Sequence, residues 1–139
     1  VLDDVQCVKY VRYETEIPYY ACNGSAWTCY NKAQTAGYLV GQNPQVGSIV
    51  VFNRASNTDP DYGHVGIVMA VNGNFITIRD ANWVSPLTVG EHTINQLLDI
   101  GCPMKIFYKL YFFANFIVIG HSMSHKMSDK YIYQQSRSR

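Results

Sequence analysis

Four residues of this chain have the types and order needed for acyl transfer: Cys7, His64, Asp80 and Asn82. A thiol becomes a useful nucleophile as its thiolate, which needs a base nearby, a group that orients the base from its other ring nitrogen, and donors for the oxyanion that develops on the attacked carbonyl. Cys7 supplies the thiol, His64 the base, and Asp80 or Asn82 the orienting group. Backbone N–H groups at the start of a helix that carries Cys7 would supply the donors, together with the side chain of Gln6. A Cys followed by a His and then by an Asp or Asn is a chain order in which such a nucleophile, base and orienting group can be assembled.

These residues need elements that hold them. The stretch 3–13 reads as a helix: Asp3 is a suitable N-cap, Asp4 suits the positive end of the helix dipole, and Val5, Val8, Val11 and Arg12 recur at helical spacing. Cys7 then falls in the first turn, where the helix field favours a thiolate. Pro18 closes this segment, and Asn23-Gly24 turns the chain into a second helix with Ser25 as N-cap, running through Trp27, Tyr30 and Ala33 to a stop at Gly37. Residues 41–47 read as a loop and 48–52 as a buried strand. Residues 53–63 are a polar loop, and the strands 64–71 and 75–83 are joined at Asn72-Gly73. Two further strands are expected at 87–94 and 105–113, neither with evident chemistry.

The hairpin register decides whether the site exists. A two-residue loop pairing Val71 with Asn74 sets His64 opposite Ala81 and sends Asp80 and Asn82 to the other face. A three-residue loop pairing Ala70 with Asn74 sets His64 opposite Asp80, with Asn82 diagonal on the same face. The second register, or a compensating bulge elsewhere, is the expectation. The His64 face then also carries Gly66, Val68, Ala70, Ile76 and Ile78, small enough for the Cys7 helix to pack on it.

Composition fits a folded domain. The 139 residues are 47% hydrophobic and 15% charged, and eleven Tyr with ten Gly lean toward strands and turns. The formal charge of +1 divides unevenly: residues 1–102 carry five Lys/Arg against nine Asp/Glu, and 103–139 carry six against one. We therefore expect a catalytic domain over 1–102, then a last strand and a basic, weakly ordered tail over 103–139. His121 and His125 in that tail are spaced for a metal only if helical, and lack a third ligand. The apolar stretch 110–119 is about half the roughly twenty residues that cross a bilayer. Cys7, Cys22, Cys29 and Cys102 fit no zinc-site spacing, while Cys22 and Cys29 could bridge in an oxidising compartment. The start at Val1 shows no charged-then-apolar leader, so a signal peptide is expected to be removed or absent.

Gln6-Cys7-Val8-Lys9-Tyr10-Val11-Arg12, Gly47-Ser48-Ile49-Val50-Val51-Phe52, Gly63-His64-Val65-Gly66-Ile67-Val68 and Asp80-Ala81-Asn82-Trp83 resemble, in order, the motifs of the CHAP family, the cysteine, histidine-dependent amidohydrolase/peptidase domains of bacteria and their phages. The similarity covers about 3–95. Gly24-Ser25-Ala26-Trp27, with a turn from Pro44 to Gly47, resembles the intermediate segment of one bacterial branch. The resemblance implies an α+β, papain-like fold, its Cys-bearing helix packed on an antiparallel sheet that bears the His and Asp/Asn. It implies cleavage of an amide bond of peptidoglycan, as an N-acetylmuramoyl-L-alanine amidase or endopeptidase, with Cys7 as nucleophile, His64 as base and no metal or organic cofactor. Asp80 stands where the family commonly has Glu, a shorter reach that leaves Asp80 and Asn82 both open as the orienting group. The sequence beyond about Leu97 departs from the usual close of the domain.

A wall hydrolase of this kind is expected to be secreted, periplasmic or phage-associated, monomeric, without a nucleic-acid partner and without a transmembrane segment. Discrimination among amides would lie in loops 16–24, 53–63 and 83–90, where Tyr19, Tyr20, Tyr62 and Trp83 could stack on sugar or peptide faces. Two other readings stand beside it: a catalytically silent wall-binding or virion module, marked by Cys7 turned from His64 or held in a disulfide, and a small-molecule amidase.

Overall fold

A computed structural model describes residues 6–53, 61–96 and 105–108 with their side chains, and the backbone of 110–113, 116–119 and 131–134. Two helices, α1 (Cys7–Thr15) and α2 (Cys29–Thr35), precede all the described strands. The strands β1 (Leu39–Gly41), β2 (Ile49–Phe52), β3 (His64–Asn72), β4 (Phe75–Ala81), β5 (Val89–Asn95) and β6 (Lys105–Tyr108) form one antiparallel sheet in the order β1-β6-β2-β3-β4-β5. This is the small α+β arrangement expected. A separate three-stranded sheet holds β7 (Leu110–Phe113), β8 (Phe116–Ile119) and β9 (Tyr131–Gln134). The single strand expected over 105–113 is therefore two strands in two sheets. β6, beyond the expected division at 102, lies inside the larger sheet, with Ile106 and Phe107 fully buried. β9 falls within the tail expected to be weakly ordered, and His121 and His125 lie outside the described residues. Among the described residues no helix is long and apolar enough to cross a membrane.

Alternation sorts the core into two layers. Ile49, Val51, Val65, Ile67 and Ala81 meet Val8 and Val11 of α1 and Ala33 of α2 on one face of the sheet. Val50, Phe52, Val68, Ile76, Ile78 and Ile94 pack on the other. Strand residues of successive number point to opposite faces, so α1 lies on the Val65–Ile67 face and not, as expected, on the face of Gly66 and Val68.

Helix α1 starts at Cys7, not at Asp3. Gln6 is its N-cap, in extended conformation and without a side-chain cap bond, and Asp3 and Asp4 lie outside the described residues. The helix ends at Thr15, where Glu16 takes the left-handed conformation (φ 59°) and donates its backbone N–H to the Arg12 carbonyl. Ser25 precedes a short 3-10 turn, Ala26–Thr28, without a side-chain cap bond; α2 itself starts only at Cys29, and Gly37 follows it with φ 96°.

The hairpin takes neither simple register. Asn72 pairs with Phe75 across a two-residue turn, Gly73-Asn74, with Gly73 at φ 60°, the turn lying one residue later than expected. Val71 then pairs with Ile76 and Ala70 with Thr77; a bulge between Val68 and Ala70 shifts the pairing to Val68 with Ile78 and Ile67 with Arg79. The bulge restores the parity the turn would have removed. Continued outward, it sets Gly66 opposite Asp80, with His64 on the next diagonal. The compensating bulge was the second of the two expected routes, and it leaves His64 and Asp80 on one face.

Candidate active site

His64 opens β3 at the end of the sheet, next to Gly63, whose φ of 70° and lack of a side chain let the chain lie against the Phe52 carbonyl and Trp27. A Cβ at Gly63 would come within 2.6 Å of that carbonyl oxygen, and the adjoining Tyr62 carbonyl accepts the Trp27 backbone N–H at 3.1 Å. The strand entry is thereby fixed against the segment that leads into α2.

The His64 ring is buried, and its Nε2 lies 2.9 Å from Asp80 Oδ2. Cys7, the first residue of α1, lines the same cleft as this imidazole and is close enough to favour its charged form. With Nε2 on Asp80, Nδ1 is the nitrogen left for the sulfur. Because His64 begins its strand, the helix that packs on the opposite face reaches the ring from the sheet's end. Of the two candidates, Asp80 is the one within hydrogen-bonding distance of the imidazole.

Burial is the largest effect on His64 and works against its charged form, but hydrogen bonds to Asp80 and Cys7 and the charges of both outweigh it. The imidazole is pushed up to about 9 from 6.5. Burial likewise opposes ionisation of Asp80, and the hydrogen bonds and charges of two imidazoles overcome it, holding the carboxyl below its ordinary value. The second imidazole belongs to His92 on β5, whose Nε2 lies 2.7 Å from the same Oδ2.

His92 is the residue that sequence reasoning missed, on a strand expected to carry no chemistry. It pairs with Ile78, so it shares the face of Asp80. Its number and spacing alone carried no such signal; the β4–β5 register did.

Asn82 does not reach His64. β4 ends at Ala81, and Asn82 turns the chain with φ 71°, a conformation that Asn tolerates better than most residues. Its Oδ1 accepts the Leu87 N–H at 2.7 Å, and its Nδ2 donates to Gln6 Oε1 at 3.0 Å. Trp83 leaves the strand as well. Its ring lies 4.8 Å from that of His64 and 5.4 Å from that of Phe52, and stacks on His92 at 4.3 Å. Tyr62 is exposed.

A cleft of about 490 Å³ opens over these groups, lined by Gln6, Cys7, Tyr62, His64, Asn82 and Trp83, with Gly24 and Ala26 on its wall. That wall is braced by a Cys22–Cys29 disulfide, by the Arg12 guanidinium on the Cys22 carbonyl at 2.8 Å, and by Lys32 Nζ on the Asn23 carbonyl at 2.8 Å. Cys7 is a free thiol, and Cys102 lies outside the described residues. Among the described residues no group of three His, Cys, Asp or Glu side chains is placed to hold a metal ion.

A free thiol at a helix start, an imidazole beside it and a carboxylate behind the imidazole thus meet at one end of an α+β frame. The CHAP domain family matches residues 3–82, more than half of the chain, and the protein belongs to that family. Among solved structures it is similar to an N-acetylmuramoyl-L-alanine amidase from Staphylococcus aureus, at 28% identity and a TM-score of 0.62, over 73% of this chain and 29% of that one. It shares its fold with the structure of Ly7917 at 19% identity and a TM-score of 0.51, over 78% of this chain and 58% of that one. The chain thus spans less than a third of the length of the amidase it matches. Comparison with curated proteins found no match.

Proposed function

We propose that the protein hydrolyses an amide bond of peptidoglycan through Cys7, outside the cell or in association with a phage particle, acting as a monomer with no nucleic-acid partner and no cofactor. The observation that carries this reading is the placement of His64 between Asp80 at 2.9 Å and the free thiol of Cys7, which lines the same cleft. In the proposed reaction the Cys7 thiolate attacks the amide carbonyl and forms a C–S bond. The oxyanion develops beside the first N–H groups of α1, which lack intrahelical acceptors, and beside Gln6. His64 gives its proton to the leaving amine as the C–N bond breaks. A water then gives a proton back to His64 as its oxygen attacks the thioester and the C–S bond breaks, releasing the acid and restoring the Cys7 thiolate beside the imidazolium.

Family membership and likeness to a staphylococcal amidase support peptidoglycan as the substrate class. The disulfide supports an oxidising compartment. A silent module would have Cys7 turned away or oxidised, and the free thiol of Cys7 in the cleft with His64 favours the active reading. Tyr62 and Trp83 line the cleft as candidates for substrate contact, Trp83 also serving as the wall that packs His64 and His92.

The test is the fall in turbidity of purified cell walls. The parent protein should clear them, and Cys7→Ala and His64→Ala should not; equal clearing by all three would rule the mechanism out. Identification of the new termini separates the two bond types: a free L-alanine amino group with intact stem peptides marks an amidase, and cut stem peptides mark an endopeptidase. Inactivity on walls with Cys7-dependent amine release from a small amide would move the substrate to the small-molecule class.

A further inference from the structure

His92 and His64 converge on a single oxygen. Asp80 Oδ2 lies 2.7 Å from His92 Nε2 and 2.9 Å from His64 Nε2, while Oδ1 is buried with no hydrogen-bond partner among the described residues. The carboxylate is completely buried, so its charge is held by these two donors. His92 is itself fixed, stacked on Trp83 with ring centroids 4.3 Å apart and an interplanar angle of 27°, and Trp83 also meets the edge of His64. A short Asp side chain thus stands in a three-ring frame.

We infer that His92 is a positioning residue: its Nε2–H holds Asp80 in the rotamer that presents Oδ2 to His64 and keeps that carboxylate ionised when the surroundings turn acidic. This rests on the reading of Cys7 and His64 as the reacting pair. Without His92 the buried carboxylate keeps one donor in place of two, and takes up a proton at higher pH. Once neutral, it no longer holds a proton on His64, and the imidazolium that pairs with the Cys7 thiolate is lost. The titratable groups facing this centre are Cys7 and Tyr10 from α1, His64 from β3, Asp80 from β4 and His92 from β5; the adjoining Phe52 of β2 and Trp83 are uncharged.

The experiment follows alkylation of Cys7 by iodoacetamide against pH, in a Cys102→Ser background. Its readout is independent of any substrate: an S–C bond forms as iodide leaves, and only the thiolate reacts at an appreciable rate. The parent should alkylate in mildly acidic buffer, and His64→Ala should lose that reactivity. In His92→Leu the acid end of the profile should move toward neutrality, with alkylation near pH 5 roughly tenfold slower, the scale of one charge-assisted hydrogen bond. His92→Gln, which offers an amide N–H, should recover most of the loss.

If the parent shows no acid-range reactivity, or shows it equally in His64→Ala, the reacting pair itself is wrong. If the pair behaves as expected and His92→Leu follows the parent profile, the role of His92 is overturned while the pair stands. Should His92→Leu fail to fold by circular dichroism, nitrogen-resolved NMR of the parent decides. Two downfield Nε2–H resonances, both lost in Asp80→Asn, support the role, and an unprotonated His92 Nε2 sinks it.

Discussion

The amide of Asn82 donates to the side-chain carbonyl of Gln6 across 3.0 Å, tying the end of β4 to the residue just before the nucleophile. Gln6 is the N-cap of α1 yet makes no side-chain cap bond, so its side chain serves the cleft in place of the helix. Its oxygen is held by Asn82, and its side chain lines the cleft beside Cys7, where we have proposed it as an oxyanion donor. Asn82→Gly keeps the left-handed conformation without strain and removes only the amide. We expect Asn82→Gly and Gln6→Leu each to lower kcat on peptidoglycan by about tenfold, the scale of losing one well-placed donor. The double variant should fall little further, because one interaction is removed twice. Multiplicative losses in the double-mutant cycle would show that the two side chains act separately.

Asp80→Asn keeps the shape of the side chain and removes its charge. By analogy with the orienting Asp of serine proteases, where this change costs about four orders of magnitude, we expect a loss in kcat of roughly 10²–10⁴ with KM little changed. A neutral Asn also accepts only through its oxygen, which two imidazole donors already share at 2.9 and 2.7 Å. Steady-state rates on solubilised wall fragments test this; a change confined to KM would argue that Asp80 serves binding.

The pH course follows from His64 and Asp80 with opposite signs. His64 is raised from 6.5 to about 9, so its contribution to stability is complete below about 6.5 and is lost as pH climbs through about 9. Asp80 is held below its ordinary 3.8, so its contribution is present above that value and is lost as pH falls through the lowered one. Thermal melts should therefore show a plateau from about pH 4 to 6.5, and His64→Ala should flatten the alkaline decline. Activity should fall on the alkaline side through about 9 as imidazolium is lost. An alkaline limb near 6.5 would show that the imidazole is not held charged.

How much of this was legible in the chain depends on the range of the interaction that fixed it. The types and order of Cys7, His64 and Asp80, the β3–β4 hairpin and the burial of Ile49 to Phe52 follow from local pattern, and the structure has them. The face on which α1 packs did not follow, because both faces of the sheet alternate with apolar residues and either could accept a helix. β1 and the inner place of β6 depend on pairing between residues about seventy positions apart, such as Leu39 with Tyr108, which no local signal encodes. His92 was invisible for the same reason: its meaning lies in the β4–β5 register, Ile78 against His92 and Asp80 against Gly90.

Gly66 offers the sharpest test of that register. A Cβ there would overlap the Ile78 side chain and come to 3.1 Å from the Asp80 Cβ and 3.3 Å from the Arg79 carbonyl, so the bare backbone of β3 is what lets Asp80 lie between two imidazoles. Its φ is not positive, so the constraint is space and not backbone conformation. Gly66→Ala should destabilise by about 1–3 kcal/mol through overpacking, seen as a lowered midpoint in urea with an unchanged m-value. Because the displaced groups include the carboxylate behind His64, activity of the folded variant should drop as well, by more than the small fraction unfolded explains. The Val68–Ala70 bulge makes this prediction specific, since without it Gly66 would lie opposite Ala81 and Asp80 would point to the other face of the sheet, away from Gly66 and His64. An alanine tolerated at full activity would mean that the bulge, and with it the alignment of His64 with Asp80, is misplaced.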